Sequence, residues 1–212
     1  MNTLERLKTL CKNDYFGVAN LHIHSNHSDG EGDFADLISQ AQKLGLKHVS
    51  ITDHNTVEGY KNFDYENCDI LIPAVEFDCI LGHVLLHIIG YGIDPNNEQL
   101  QAICAKNKRQ TSKDVIRLFY SRHPKKVIEA IHAAGGIAVL AHPCCCWTLS
   151  LKRFIKKLVS FGLEGVEVYY PYEHLRGIVK FHSRKKVLKI TQELGLLETG
   201  GSDCHTKILK EP

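Results

Sequence analysis

The chain has 212 residues, of which 43% are hydrophobic and 24% charged, and this balance predicts one soluble domain with a substantial core, spanning residues 1–212. The net charge of +2 with neutral histidines is too close to zero to favour a broad nucleic-acid or membrane surface. No apolar run approaches the roughly 20 residues of a membrane span, and the eight scattered cysteines favour reduced thiols over a disulfide framework, so we expect a cytoplasmic protein.

Strand and helix patterns alternate along the chain. The first six residues are typical of a charged amphipathic helix, and residues 18–23 are typical of a strand. Asp33 is a good N-cap, the apolar residues between 37 and 44 recur at helical spacing, and Gly45 supplies a stop. Further strands are predicted at 49–52, 70–72, 75–79, 84–89, 137–140, 166–169 and 197–200, and further helices around 127–131 and 151–158.

The connections between these strands predict the sheet topology. Residues 75–90 leave no room for a helix, so the two strands in this stretch are predicted to form a hairpin around Leu81 and Gly82. The other strands are separated by helical patterns, which implies parallel βα units. Seven or eight strands in one domain, without a break in strand order, favour an α/β barrel over an open sheet.

Residues that can bind metal recur in or just past these strands. Neutral imidazole and carboxylate groups suit zinc, manganese and iron, and the ends of strands are where a β/α barrel gathers its active site. A lone buried histidine is more often a core residue than a ligand, but recurrence at several strand ends favours a metalloenzyme. The candidate ligands are His22, His24, Asp29, His54, Glu76, His87, His142, Asp203 and His205.

The first two strands carry closely spaced candidates. Because residues two apart in a strand share a face, His22 and His24 can grip one ion together. Asp29 precedes a glycine, so its carboxylate either reaches a second ion or caps the turn. His54 closes the second strand as a ligand, and we predict that Asp53 orients it, which makes Asp53 the one catalytic residue assigned outside the ligand set.

The remaining candidates come from later strands. Glu76 lies inside an apolar run, where an unpaired carboxylate would be costly, so a cation, a strong donor or a buried salt bridge is expected beside it. His83 and His87 share a face, but His87 lies deeper in its run and is the predicted ligand, whereas His83 is predicted to lie in a loop. His142 ends a later strand. Asp203 and His205, which are two residues apart, follow the last strand.

Taken in order, these segments resemble the PHP (polymerase and histidinol phosphatase) family of metal-dependent phosphoesterases, over nearly the whole chain. The matching segments are HIHSNHSDG at 22–30, TDHNT at 52–56, the VEF glutamate at 76, HIIGYGID at 87–94, AGGIAVLAHP at 134–143, GVEVYYPY at 165–172 and TGGSDCH at 199–205. The resemblance implies a distorted (β/α)7 TIM-like barrel whose strand ends hold two or three divalent metal ions, which the ligand types allow to be zinc, manganese or iron.

The resemblance also implies how the ligands divide. One site would use His22, His24, Glu76 and Asp203, a second Asp29, His54 and His205, and a third Glu76, His87 and His142, so that Glu76 bridges two ions. The ions would activate a water near neutral pH and neutralise phosphate oxygens, so no protein nucleophile is needed.

The leading functional hypothesis is hydrolysis of a small phosphomonoester, such as a nucleotide or a nucleoside bisphosphate. The alternatives are a histidinol-phosphate phosphatase, a nuclease acting on a 3′ end, and a non-catalytic metal-binding regulatory module. Retention of all nine candidate ligands argues against the module. A nuclease needs a basic groove with stacking aromatic residues, so nucleic acid is an open but not a favoured partner. No membrane partner is expected, and the oligomeric state cannot be deduced from the sequence.

The chain departs from the small phosphatases of the family in a shortened helical insertion near residues 95–123. Lys106 to Arg117 are predicted to lie on one helix, whose basic stripe is better explained as a solvated face than as a phosphate clamp. Arg109 of that stripe, and His174 in a later segment, are the candidate substrate-binding residues, although His174 could simply pack.

Three consecutive cysteines, Cys144 to Cys146, follow directly after the candidate ligand His142 and Pro143. A thiolate metal site or a redox role is an alternative, but adjacent residues in an extended chain cannot all point to one ion. We therefore expect a partly buried loop, and we expect Cys204 to face away from the metals.

Overall fold

The structure, a computed structural model, describes residues 2–171 and 181–209, in which helices and strands alternate. The helices are α1 (Thr3–Lys8), α2 (Phe34–Lys43), α3 (Glu98–Ile103), α4 (Arg109–Ser112), α5 (Asp114–Phe119), α6 (Pro124–Ala133), α7 (Leu151–Val159) and α8 (Arg184–Glu193). The strands are β1 (Ala19–Ile23), β2 (His48–Ile51), β3 (Ala74–Leu81), β4 (Val84–Tyr91), β5 (Ile137–Leu140), β6 (Gly165–Tyr169) and β7 (Leu197–Gly200). Short 3₁₀ turns lie at Asp14–Phe16, Glu58–Tyr60 and Pro143–Cys145.

The described strands form two sheets rather than one closed ladder. Strands β1 and β2 pair in parallel, and the five-stranded sheet has the order β3-β4-β5-β6-β7. The predicted hairpin is confirmed, since β3 and β4 pair antiparallel, and β5, β6 and β7 are parallel as predicted. The parallel connection predicted between β4 and β5 is wrong, because these strands pair antiparallel. Among the described residues, isolated bridges link the backbones of the two sheets, such as Val49 to Leu71, His54 to Glu76 and Ile23 to Cys204. The mixed α/β fold is therefore confirmed, but this pairing does not close a barrel.

The predicted strand at 70–72 is wrong in extent. The segment forms a single bridge, between Leu71 and Val49, in which the Ile70 carbonyl and the Ile72 N–H bond the backbone of Val49. The N–H of Leu71 does not extend this pairing. It is turned back onto the carbonyl of Cys68, and Pro73, which follows the segment, has no N–H to extend a ladder.

Both faces of the sheets are buried, because successive strand residues point to opposite sides. In β4, the adjacent residues Ile88 and Ile89 belong to different apolar clusters, Ile88 to a large cluster beneath the helices and Ile89 to a second, smaller cluster. The second cluster includes Leu7 from α1, so the N-terminal helix packs against the face opposite the large cluster.

The helix predictions near the middle of the chain had mixed outcomes. Helix α2 begins after Asp33, whose carboxylate accepts from the backbone of Ala35 and Asp36, as predicted. The single helix predicted through Arg117 is wrong, because the chain is extended at Lys113 and splits into α4 and α5. The hydroxyls of Thr111 and Ser112 bond back to the Lys108 carbonyl, a local alternative to continued helix.

In the part of the chain that the structure describes, every helix is too short or too polar to cross a membrane. The eight cysteines all lie in described residues and stand as free thiols.

Arg6 attaches helix α1 to the start of β2 and to the segment before β3. Its Nε donates to His48 Nδ1 at 2.9 Å, and its Nη2 lies 3.0 and 2.7 Å from the carbonyls of Lys47 and Asp69. A guanidinium can make several such bonds at once because its donors are fixed in a planar fork.

Replacing Arg6 by lysine should therefore lower the free energy of unfolding by about 1–2 kcal/mol, since the ammonium keeps the charge but cannot span the three acceptors. Urea unfolding followed by circular dichroism measures the change. Lys8→Arg, at an exposed position on the same helix, is the matched control and should leave stability unchanged. Equal stability of Arg6→Lys and the parent chain would contradict the attachment.

Candidate metal centre

The centre is organised around the carboxylate of Glu76, which is fully buried on β3. Its Oε2 atom lies 3.3, 3.2 and 3.4 Å from the Nε2 atoms of His22, His24 and His54, and its Oε1 atom lies 3.0 and 3.1 Å from His87 Nδ1 and His142 Nε2. One carboxylate therefore joins histidines contributed by four strands or the segments that follow them.

Two aspartates contact the same group of histidines. Asp203 Oδ1 lies 3.3 and 3.1 Å from the Nε2 atoms of His22 and His24. Asp29 Oδ1 lies 3.3 Å from His205 Nε2, and its Oδ2 lies 3.8 Å from His54 Nε2. All nine sequence-predicted ligands are thus brought together, and their binding of metal stays a prediction.

The donor atoms form four overlapping groups, each with its atoms within 4.8 Å of one another. These are His24, Asp29, His54 and His205; His22, His24 and Asp203; His22, Glu76 and His142; and His54, Asp78 and His87. Shared imidazoles link the groups into one continuous cluster.

This cluster fits divalent ions on its own chemistry. Its donors are imidazole nitrogens and carboxylate oxygens, the set that zinc, manganese and iron accept. The Nδ1 atoms of His24 and His54 are buried and lie 3.6 and 3.4 Å from the carboxylates of Asp29 and Asp78, but neither makes a well-formed hydrogen bond in the described structure. Buried polar atoms are ordinarily paired, so unpaired ring nitrogens among carboxylates point to a ligand that completes them.

The cluster changes the acid–base properties of its members. Burial opposes the charged form of Glu76, but the surrounding imidazoles, His22 and His54 first, hold its pKa well below the usual value. Burial likewise opposes charge on His24 and His87, yet carboxylate partners raise the pKa of each to about 10. Asp203 has a lowered pKa because its histidine neighbours overcome its desolvation.

Asp78 is a candidate ligand that the sequence analysis missed. It lies two residues after Glu76 in β3, and its Oδ1 is 3.1 Å from His87 Nε2 and 3.4 Å from His54 Nδ1. Glu76 and Asp78 are two residues apart in a strand, as His22 and His24 are, so they share a face. Strand alternation could therefore have identified Asp78 from the sequence.

Glu167 on β6 was also missed, although it is an acid between two buried valines. Its Oε1 is 2.8 Å from His22 Nδ1, and its Oε2 accepts the backbone N–H of His142 at 2.8 Å. A carboxylate on Nδ1 leaves Nε2 of His22 directed at the cluster, the usual way in which a ligating histidine is oriented.

Asp53 does not occupy the position predicted for it. Its carboxylate accepts from the backbone and hydroxyl of Ser25 at 2.8 and 2.6 Å and from the hydroxyl of Ser28 at 2.6 Å. Asp53 therefore holds the loop that delivers Asp29, and the carboxylate beside His54 Nδ1 is that of Asp78. The sequence favoured Asp53 because it is adjacent to His54 along the chain. Asp78 approaches His54 only in the folded structure.

Backbone strain concentrates at the centre. Among described non-glycine residues, positive φ angles occur at Asn55, His142 and Asp203, at 58°, 27° and 50°. Two of these are candidate ligands and the third follows His54. Strained conformations persist where surrounding contacts over-determine them, and here Tyr170 donates to Asp203 Oδ2 at 2.5 Å.

The basic residue that enters the centre is Arg117, contrary to the solvated face predicted for its stripe. It is buried, and its Nη1 lies 2.6 Å from Asp29 Oδ2 while its Nε lies 3.4 Å from Asp78 Oδ2. Arg109 lies exposed at the start of α4, without a contact to the cluster among the described ones. His174 lies outside the described residues, so both substrate-binding assignments stay predictions.

The three consecutive cysteines form a partly buried turn, as expected, with Cys144 and Cys146 buried. Interactions with the side chains of Cys145 and Glu76 outweigh burial and raise the pKa of His142 to about 9. Cys204 points to the hydroxyl of Thr206, away from the cluster, as predicted.

Comparisons with known proteins agree with this arrangement. A family model of the PHP domain matches residues 20–132, more than half of the chain. A phosphoribosyl 1,2-cyclic phosphate 1,2-diphosphodiesterase of Eggerthella lenta is 22% identical over 263 aligned residues, covering 92% of this chain and 97% of that protein. A 5′-3′ exoribonuclease of Haemophilus influenzae is 23% identical over 250 aligned residues, covering 87% of this chain and 89% of that protein.

The fold is shared with a solved structure. A candidate metal-dependent phosphoesterase from Bifidobacterium adolescentis aligns with a TM-score of 0.74 at 24% sequence identity, covering 92% of this chain and 90% of that chain. The likeness shows that the two chains have the same mixed α/β fold.

Replacing Glu167 by glutamine should weaken metal binding by about 10- to 100-fold, because the amide no longer fixes the ring of His22 as a charged carboxylate does. Titration with zinc or manganese in competition with a chelator measures the affinity. Glu164→Gln, at a half-exposed position three residues earlier, is the matched control and should bind normally. Unchanged affinity in Glu167→Gln would refute its orienting role.

Metal binding should release protons and strengthen as the pH rises. In the metal-free protein the pKa values of His24 and His87 are about 10 and that of His142 about 9, so these rings are protonated near neutral pH. An ion binds only the neutral ring, so apparent affinity should increase with pH up to about pH 10, the pKa of His24 and His87. Calorimetry in buffers of different ionisation enthalpy counts the protons, and buffer-independent heats would contradict the expectation.

Proposed function

Because the chain belongs to the PHP domain family of metal-dependent phosphoesterases, we propose that it hydrolyses a small phosphomonoester, such as a nucleotide or a nucleoside bisphosphate. The observation that carries the proposal is the convergence of five histidines on the buried Glu76 carboxylate. A binding module has no need of so many shared donors around one carboxylate.

The chain's residues would hold two or three ions in the sets that the sequence analysis assigned, with Glu76 shared between them. The donor chemistry accepts zinc, manganese and iron. When bound, they lower the pKa of coordinated water and neutralise phosphate oxygens. Asp78 adds a carboxylate beside His54 and His87 that can serve the same ions.

Other residues prepare the site for an anion. Glu167 and Asp53 hold His22 and the loop of Asp29 in place, so the ligands need no rearrangement when substrate arrives. Arg117 puts a permanent positive charge between Asp29 and Asp78. A fixed cation in a buried site favours a phosphate group over a neutral ester.

The fold that we propose for this activity is the distorted (β/α)7 barrel. Support comes from the isolated bridges that link β1 to the segment after β7 and β2 to the segments around β3, at both junctions of the two sheets. In a barrel of this kind the active site lies where parallel strands end, and four of the candidate ligands follow β1, β2, β5 or β7 within a few residues.

Purified protein should contain two or three equivalents of metal and release phosphate from nucleotides or sugar phosphates. Glu76→Gln keeps the shape of the side chain but loses the bridging charge, so it should lose metal and reduce turnover by more than about 100-fold. Elemental analysis coupled to a phosphate-release panel measures both, with Glu164→Gln as the active control.

Two outcomes would contradict this proposed function. Protein that binds no metal after repletion removes the basis for hydrolysis. Full metal loading without turnover of nucleotides, sugar phosphates, histidinol phosphate or oligonucleotides would favour the non-catalytic module instead.

A further inference from the structure

An exposed aromatic pair lies on the loop that leaves the metal centre. The rings of Trp147 and Phe181 have centroids 4.4 Å apart and are inclined at 57°. Their exposed fractions are 63% and 40%. Tryptophan is a residue that proteins bury to a high degree on average, so a tryptophan supported by one ring and open to solvent elsewhere calls for a functional explanation.

The pair is tied to the candidate ligand His142. Trp147 follows His142 by five residues, a span of at most roughly 17 Å in extended chain, and the 3₁₀ turn Pro143–Cys145 shortens that span. The backbone N–H of Phe181 donates to the carbonyl of Cys144 at 2.9 Å, which fixes the second ring on the same turn. Both rings are therefore attached to the turn that begins directly after the candidate ligand His142.

Basic residues follow both aromatic residues in the sequence. Helices α7 and α8 begin shortly after them, and neither has an acidic residue in its first turn. The first turns contain Lys152, Arg153, Arg184, Lys185 and Lys186. Helix N-termini usually favour acidic residues, because the helix dipole is positive there. Lys152 is paired with Glu193 at 2.6 Å, so Arg153, Arg184, Lys185 and Lys186 contribute the excess positive charge at the two N-termini.

We infer that Trp147, supported by Phe181, stacks on the base of the substrate, so that the phosphoester held at the metal centre carries a nucleobase. The inference rests on the proposed function and names its substrate class. Aromatic rings beside a basic surface are the combination that binds nucleotides without selecting a particular base, since every base has a π-face. The base belongs either to a free nucleotide or to the terminal nucleotide of a strand.

The chain offers a direct probe of binding, because Trp147 is its only tryptophan. Stacking of a base on the indole should quench the intrinsic fluorescence of the metal-loaded full chain. AMP should quench it to saturation, whereas ribose 5-phosphate and inorganic phosphate should not. Quenching that is equal for AMP and ribose 5-phosphate, or absent for both, would overturn the inference.

A kinetic comparison tests the same contact through catalysis. Trp147→Ala should raise the KM for AMP by about 5- to 150-fold, the range expected for loss of one stacked base. Its KM for ribose 5-phosphate should not change, and Trp147→Phe should retain most of the AMP affinity. Phe119→Ala, at another highly exposed aromatic, is the matched control. Equal effects of Trp147→Ala on both substrates would contradict base stacking.

The length of the ligand and the salt dependence of its binding distinguish the two sources of the base. Tighter quenching by a short single-stranded oligonucleotide than by AMP, with strong salt dependence, assigns the platform to a strand end. Equal affinity assigns it to a free nucleotide. If ribose 5-phosphate is hydrolysed and the base affects neither fluorescence nor KM, the proposed function stands and only this inference fails. If a base quenches the fluorescence but no phosphoester is hydrolysed, base binding stands and the proposed function fails.

Discussion

The burial of the Glu76 carboxylate is the constraint on which the rest of the centre depends. A buried charge must be paired, and this one contacts imidazoles from β1, β4 and the segments after β1, β2 and β5. Those segments are far apart in sequence, so the pairing is satisfied only when both sheets are assembled. The same convergence places four carboxylates, those of Asp29, Glu76, Asp78 and Asp203, close enough to share ions. Assembly of the fold and formation of the metal centre are therefore one event.

The centre is held from outside by residues that do not themselves join it. Glu167 ties β6 to His22 and to the backbone of His142, and Asp53 ties the end of β2 to the loop before Asp29. The bond from the His142 backbone to Glu167 acts at a residue with a positive φ angle, a conformation that costs of order 1–3 kcal/mol. Burial of apolar side chains on both faces of the sheets supplies the stability that such a site requires.

Most of the candidate ligands could be predicted from the sequence because strand alternation is a local property. His22 and His24 share a face by spacing alone, and Glu76 stands out as a charge in an apolar run. The same rule applied to Asp78 and Glu167 would have identified both, so their omission was a failure to use the signal. The break at Lys113 differs, because it depends on hydroxyl groups competing for one carbonyl.

The sequence by itself determined which residue types the chain brings to the ends and interiors of its strands, and with them the family and the chemistry of the donors. Only the tertiary structure decided the partners. Asp53 and Asp78 both lie near His54, but Asp53 accepts a hydrogen bond from Ser25, whereas Asp78 contacts the imidazole. Likewise it buried Arg117 against Asp29 while leaving Arg109 exposed. Such choices depend on distances between segments far apart in the chain, which periodicity and spacing do not contain.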